Sequence, residues 1–138
     1  IGIVSPKIYF AKGFEFHKKY KKNELGKVLW YAGGKIDWNN IYGKNIGVDE
    51  VDKGQYDEIS ETQLVTGACV LIKKAVIEKV GGFDHGVNMN EDAIFTLLIE
   101  KLGKLVYIQD VVVGMDGRRF NNGFIKTFNN FFRNIVQL

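Results

Sequence analysis

From residue 62 onward the chain switches between two hydrophobic rhythms, and that alternation constrains its fold more than any other feature. "TQLVTGACVLIKK" reads as a buried strand carrying Leu64, Val65, Val70, Leu71 and Ile72. "KAVIEKVGGF" reads as a short helix closed by Gly81-Gly82, the usual place for a left-handed cap. "NEDAIFTLLIEKLGK" reads as a buried helix, with Ile94, Leu97, Leu98 and Leu102 on one face and Phe95 and Ile99 widening it. "KLVYIQDVVVGM" returns to strand, and "GFIKTFNNFFRNIVQL" has the spacing of a final amphipathic helix. Upstream, "IGIVSPKIYF" reads as a strand broken or ended near Ser5-Pro6. "KVLWYAGGKIDW" reads as two short strands around Gly33-Gly34. Residues 39–61 are polar and turn-rich, an excursion over the surface. Strand and helix alternate, so the class is α/β.

A chain of 138 residues is one domain with a real core. It is 46% hydrophobic and 25% charged, as soluble globular proteins are. No apolar run approaches the roughly 20 residues that span a bilayer. The chain opens directly on a strand-like run without Met, which reads as a piece of a longer chain. The single cysteine, Cys69, excludes an internal disulfide and fits a reducing, cytoplasmic setting. Its apolar neighbours make it a packed thiol rather than a nucleophile.

Charge is unevenly spread. Residues 1–27 hold seven lysines against Glu15 and Glu24, while residues 37–61 hold seven acids against Lys44 and Lys53. "FHKKYKKNELGK" is a solvated basic loop or a contact for phosphates or an anionic membrane surface. The acidic middle and the lack of a recognition motif argue against nucleic acid.

Asn90 is a good N-cap and places Glu91 and Asp92 at the first two helical positions. Acids there gain from a few tenths to about 1 kcal/mol from the helix dipole, which accounts for them by itself. Catalysis stays open beside it. A buried helix whose acidic end emerges at a cleft holds a carboxylate rigidly, and a general base must sit within about 3 Å of its proton.

"WYAGGKIDW", "DKGQYDE", "LVTGACVLIKKAVIEKVGGFD", "NED" and "KLGKLVYIQDVVV" occur in this order. Together they resemble the C-terminal half of an inverting, rhamnosyltransferase-like glycosyltransferase of family 2 with the GT-A fold. The similarity runs through most of residues 1–120. It implies a partial GT-A, Rossmann-like nucleotide-diphospho-sugar transferase fold, a mixed sheet with flanking helices. Residues 1–138 would be the acceptor-side domain. The resemblance gives Asp92 the role of general base toward the acceptor hydroxyl, with Glu91 orienting acceptor or base. Thr66, Gly67 and Ala68 would line the substrate site, with room for a ligand close to the backbone. Arg118 and Arg119 in "MDGRRFNNGF" would face the nucleotide diphosphate, as a guanidinium fork suits; a surface arginine pair is the alternative. Trp30, Tyr31 and Trp38 are candidates for stacking on pyranose faces or for the core.

The departures are specific. Where the family often has a second aspartate and an arginine after its Glu-Asp, this chain has Ile94 and Leu98. Gly114-Met115 stand near the place of a family histidine, so no metal ligand is assigned here. His17 and His85 are isolated and read as surface residues. No Asp-x-Asp occurs; the nearest acid-x-acid, Glu50-Val51-Asp52, lies in the polar excursion. The nucleotide-binding half, and the Mg or Mn it would hold, is therefore expected outside this chain. Alone, the chain should not catalyse.

Two main readings follow. The first is a nucleotide-sugar-dependent transferase acting on a glycan or lipid-linked acceptor in polysaccharide or glycolipid synthesis. The second is a non-catalytic module that binds a sugar or a partner; a plain structural α/β domain is a third. The tail places Phe124, Phe128, Phe131, Phe132, Ile135 and Leu138 on a broad face. That face packs on protein or lies on a membrane, and an exposed face or open sheet edge would promote self-association.

Overall fold

The computed structural model describes residues 2–15, 17–39, 42–82, 86 and 91–115, with backbone only at 91–93. The main sheet is built on β1 (Ile3–Phe10) and β7 (Leu105–Met115), which run parallel. β2 (Leu29–Tyr31) and β6 (Leu71–Ile72) pair antiparallel with opposite ends of β1. β5 (Ser60–Glu61) pairs antiparallel with Val106 and Tyr107 of β7. β3 (Gly34–Asp37) and β4 (Tyr42–Asn45) form a separate antiparallel hairpin. The helices among the described residues are α1 (Lys74–Val80) and α2 (Glu91–Glu100). The class is α/β with a mixed sheet, as the alternating rhythms predict. No described helix is long and apolar enough to cross a membrane.

β1 does not break at Ser5-Pro6. The strand continues through the proline, and the partner absorbs the disturbance instead. Pro6 stands opposite Ile108 and Lys7 opposite Val112, so Gln109, Asp110 and Val111 have no facing residue on β1. Proline lacks the N–H that a continuous ladder needs, which explains a bulge at this step. Both parities of β1 are buried (Ile3, Ser5 and Lys7; Pro6, Ile8 and Phe10), so both of its faces are covered. One core gathers Ile3, Val65, Phe95, Ile99 and Leu105, with Val76 and Ile77 of α1 against it. The other gathers Ile8, Leu29, Tyr31, Ala32 and Tyr107.

The glycine pair after α1 behaves as read: Gly81 has φ 82°, and the Gly82 N–H donates to the Ile77 carbonyl at 3.1 Å. Three other readings need correction. Within 62–72 only Leu71 and Ile72 are strand; Leu64, Val65 and Thr66 are buried but irregular, and Leu71 is 69% exposed. In place of a ladder, the Leu64 carbonyl accepts from the hydroxyls of Tyr31 and Thr62, and the Val65 N–H donates to Thr96. α2 buries only the flank of the expected face: Phe95 and Ile99 face the core with Thr96, Leu97 is half-buried, and Ile94, Leu98 and Leu102 are exposed. Residues 39–61 are more than an excursion, since they contain β4 and β5, bridge Val51 to Val28 and supply partners to a buried lysine. Cys69 is a free, half-buried thiol at the edge of the second core.

Candidate functional site

The segment bearing Thr66-Gly67-Ala68 lies against α2. Thr96 on α2 is fully buried, and its hydroxyl satisfies a backbone donor there, since Oγ1 accepts the Val65 N–H at 3.5 Å. Val65 shares its core with Phe95 and Ile99. Thr66 is 7% exposed, and its Oγ1 accepts the Ala68 N–H at 3.3 Å in a local turn. Gly67 and Ala68 are exposed beside it. At the far end of the segment Ser5 Oγ donates to the Cys69 carbonyl at 3.0 Å, fastening it to β1. The residue before Thr66 is thus joined to the helix that Glu91 and Asp92 open, about one turn past the two acids. Glu91 and Asp92 are the first two residues of α2, as the capping pattern predicts. Their side chains lie outside the described residues, as do His85, Asn90, Arg118, Arg119 and the tail from 116 to 138.

Trp38 belongs elsewhere. It follows β3 in a turn and is 59% exposed, whereas Tyr31 is fully buried and Trp30 half-buried. The hairpin approaches α2 at its C-terminal end, where a cleft of about 690 Å³ is lined by Lys35, Gln63 and Glu100. Glu91 is at the other end of that helix, about 14 Å away by helical rise. The hairpin is firmly seated. Gly34 N–H donates to Thr62 Oγ1 at 2.8 Å, Ile36 N–H to Gln63 Oε1 at 3.1 Å, and Gln63 N–H to the Gly34 carbonyl at 3.1 Å.

A third cluster has no counterpart in the motif reading. Lys7, 2% exposed in the centre of β1, places Nζ 2.8 Å from Asp52 Oδ2 and 2.6 Å from Asp57 Oδ1. Tyr9 donates its hydroxyl to the same Asp52 oxygen, and Gly54 N–H donates to Oδ1 at 2.9 Å. Tyr107 donates to the Tyr56 carbonyl at 2.9 Å, holding the intervening loop on β7. Burial alone would lower the Lys7 pKa, but its hydrogen bonds to Asp52 and Asp57 outweigh that and hold it above its ordinary value. Burial likewise favours a neutral Asp52; Lys7, Tyr9 and Gly54 reverse the direction and lower its pKa. Burial, then Asp52, pushes the Tyr9 hydroxyl up to about 12. A cleft of about 750 Å³ opens beside the cluster, lined by Tyr9, Asp52 and Asp57 together with Lys12 and Lys27. The sequence does carry a signal for this cluster: Lys7 is the only charge in the first ten residues, and a charge in such a run needs partners.

Glu50-Val51-Asp52 is not a metal motif here. The carboxylates that approach one another, Asp52 and Asp57, have Lys7 Nζ between them where a cation would sit. Among the described residues no group of three acid, His or Cys side chains could hold a metal ion. His17 is exposed but not isolated, with Nδ1 3.0 Å from Asp49 Oδ1 and its ring edge-on to Phe10 at 5.5 Å. No protein-family model, curated protein or solved structure matches this chain.

Proposed function

We propose that the chain is the acceptor-side part of an inverting glycosyltransferase with the GT-A fold, acting on a glycan or lipid-linked hydroxyl. The observation that supports this reading is that Val65, beside one motif, is held by Thr96 on the helix that opens with the other, some 25 residues on. Thr66-Gly67-Ala68 lies against the helix that opens with Glu91-Asp92, through the Val65–Thr96 bond and a shared core. In the ordered set "LVTGACVLIKKAVIEKVGGFD … NED" these two motifs would flank one acceptor pocket.

The chemistry suits a carboxylate at the start of a fixed helix. The acceptor oxygen forms a bond to the anomeric carbon as the bond from that carbon to the nucleotide diphosphate breaks. The acceptor proton goes to Asp92, the negative charge leaves with the diphosphate, and attack from the opposite face inverts the centre. Glu91 would orient the acceptor, and Arg118 and Arg119 would meet the leaving group. The Mg or Mn that this reading expects would be held by the nucleotide-binding half.

The decisive assay uses a chain joined to the Asp-x-Asp-bearing half that the reading requires. Asp92→Asn is expected to lower transfer by about 10²-fold or more, the scale for losing a general base, with folding retained because asparagine also suits a helix start. Transfer within a few-fold of the parent would return Asp92 to the role of an acid that complements the helix dipole. The second reading, sugar binding without transfer, is favoured by Trp38 and Tyr42, whose rings stand 59% and 64% exposed.

A further inference from the structure

We propose that the outer face of the β3–β4 hairpin binds an anionic glycan, its sugar rings lying on Tyr42 and Trp38 and its acidic groups meeting Lys35 and Lys44. The register sets Lys35 opposite Lys44 and Asp37 opposite Tyr42. Side chains alternate along a strand, so these four share one face, and all four are exposed. The other face carries Ile36 and Gly43 and rests on Leu64.

Three features of this face point to a ligand of that chemistry. Like charges directly opposite each other destabilise a sheet pair. Among the described residues neither lysine has an acid at ion-pair distance, so a bound anion would relieve a repulsion without displacing a partner. Asp37, the acid on the face, is occupied in the turn, where its Oδ1 accepts the Asn39 N–H at 3.0 Å. Two large aromatics, Tyr42 on this face and Trp38 in the turn that ends β3, stand in solvent although the chain buries Tyr31 and Tyr107 almost completely. Rigid aromatics presented on a seated hairpin lose little entropy on binding. A groove of about 380 Å³ alongside, a size suited to a small ligand, is walled by both lysines, Asn45 and Tyr56, with one acid, Glu50, whose carboxylate accepts the Tyr56 hydroxyl.

A glycan fits better than the other polyanions. Nucleic acid needs cations along several successive phosphates, and this face offers two in an acidic surrounding. A membrane surface needs a broader apolar face with more basic residues around it. The proposal rests on the glycosyltransferase reading only in naming the glycan an acceptor.

The test titrates residues 1–138 and follows heat and Trp fluorescence. The probes are oligogalacturonate, a phosphorylated maltooligosaccharide, neutral maltooligosaccharide, a single-stranded oligonucleotide and anionic phospholipid vesicles. Binding of at least one acidic oligosaccharide is expected, weakening as salt rises. Whether oligogalacturonate or the phosphorylated sugar binds more tightly distinguishes carboxylate from phosphate recognition. Lys35→Gln with Lys44→Gln, and separately Trp38→Ala, should weaken binding about tenfold, with the melting temperature unchanged or raised in the lysine variant. The proposal is overturned if neither acidic oligosaccharide binds at millimolar concentration, or if the neutral one binds equally. Unchanged binding in the lysine variant, or tighter binding to the oligonucleotide or the vesicles, also overturns it. Neither a donor nor Asp92 enters this measurement, so its failure and that of the transferase reading are separable.

Discussion

Lys7 brings a full charge into the middle of a strand and remains 2% exposed. Its two carboxylates are not equivalent. The Asp52 side chain is 11% exposed and bound by three donors, whereas that of Asp57 is 61% exposed. Removing the ammonium leaves Asp52 without its counter-charge while most of its side chain is shielded from water, and breaking a largely buried pair in this way costs several kcal/mol. Lys7→Met is therefore expected to destabilise by about 3 kcal/mol. Asp57→Asn removes only a solvent-screened partner and should cost about 1 kcal/mol or less. Urea unfolding of the two variants measures the difference. Equal costs would mean that Asp57, not Asp52, balances the lysine.

At the scale of elements, the seating of the hairpin depends on two glycines above Leu64. A Cβ at Gly34 would lie 2.8 Å from Leu64 Cβ and 2.9 Å from its carbonyl oxygen. A Cβ at Gly43 would instead meet Leu64 Cδ2, at 2.7 Å, the far end of a flexible side chain. Overpacking of this kind costs about 1–3 kcal/mol. The two sites should respond differently to shortening the leucine. Gly43→Ala is expected to be destabilising in the parent and nearly neutral in a Leu64→Ala background. Gly34→Ala should remain costly in both, because the backbone carbonyl stays in place. Double-mutant cycles from thermal or denaturant unfolding read the coupling directly. Coupling at Gly34 as large as at Gly43 would show that the hairpin shifts as a body.

For the whole molecule, the cluster ties β1, the 52–57 loop and, through Tyr107, β7 into one cooperative unit. Its protonation should therefore appear in global stability. Asp52 has a folded pKa below its ordinary 3.8, so its contribution is present above about pH 4 and is lost as pH falls through the folded value. Lys7 is held above its ordinary 10.5, and Tyr9 is raised from 10.0 to about 12, so their contributions are present below about pH 10 and are lost above it. Melting temperature should form a plateau between about pH 5 and 9 and fall on both sides. Asp52→Asn should lower the plateau and flatten both flanks. Flanks as steep in the variant as in the parent would place the titrating groups elsewhere.

The local rhythm of the chain was enough to determine the α/β class, the end of α1 at Gly81, the start of α2 at Glu91, and β3 and β7. It also marked Leu64 and Val65 as interior, and the structure packs Val65 beside α2. These features depend on neighbours within a turn or two, so nearby residues encode them. The rhythm could not say which side of α2 faces inward, because that helix is apolar on most sides. The choice fell to Phe95, Thr96 and Ile99, since Thr96 supplies the acceptor for a backbone N–H of a segment 31 residues earlier. For the same reason the partners of Lys7 were invisible, lying 45 and 50 residues away. The pairing of Lys35 with Lys44 depends on the register between two strands. Only tertiary structure decided these, because the desolvation of a charge or an N–H is settled by whichever distant groups the fold brings to it.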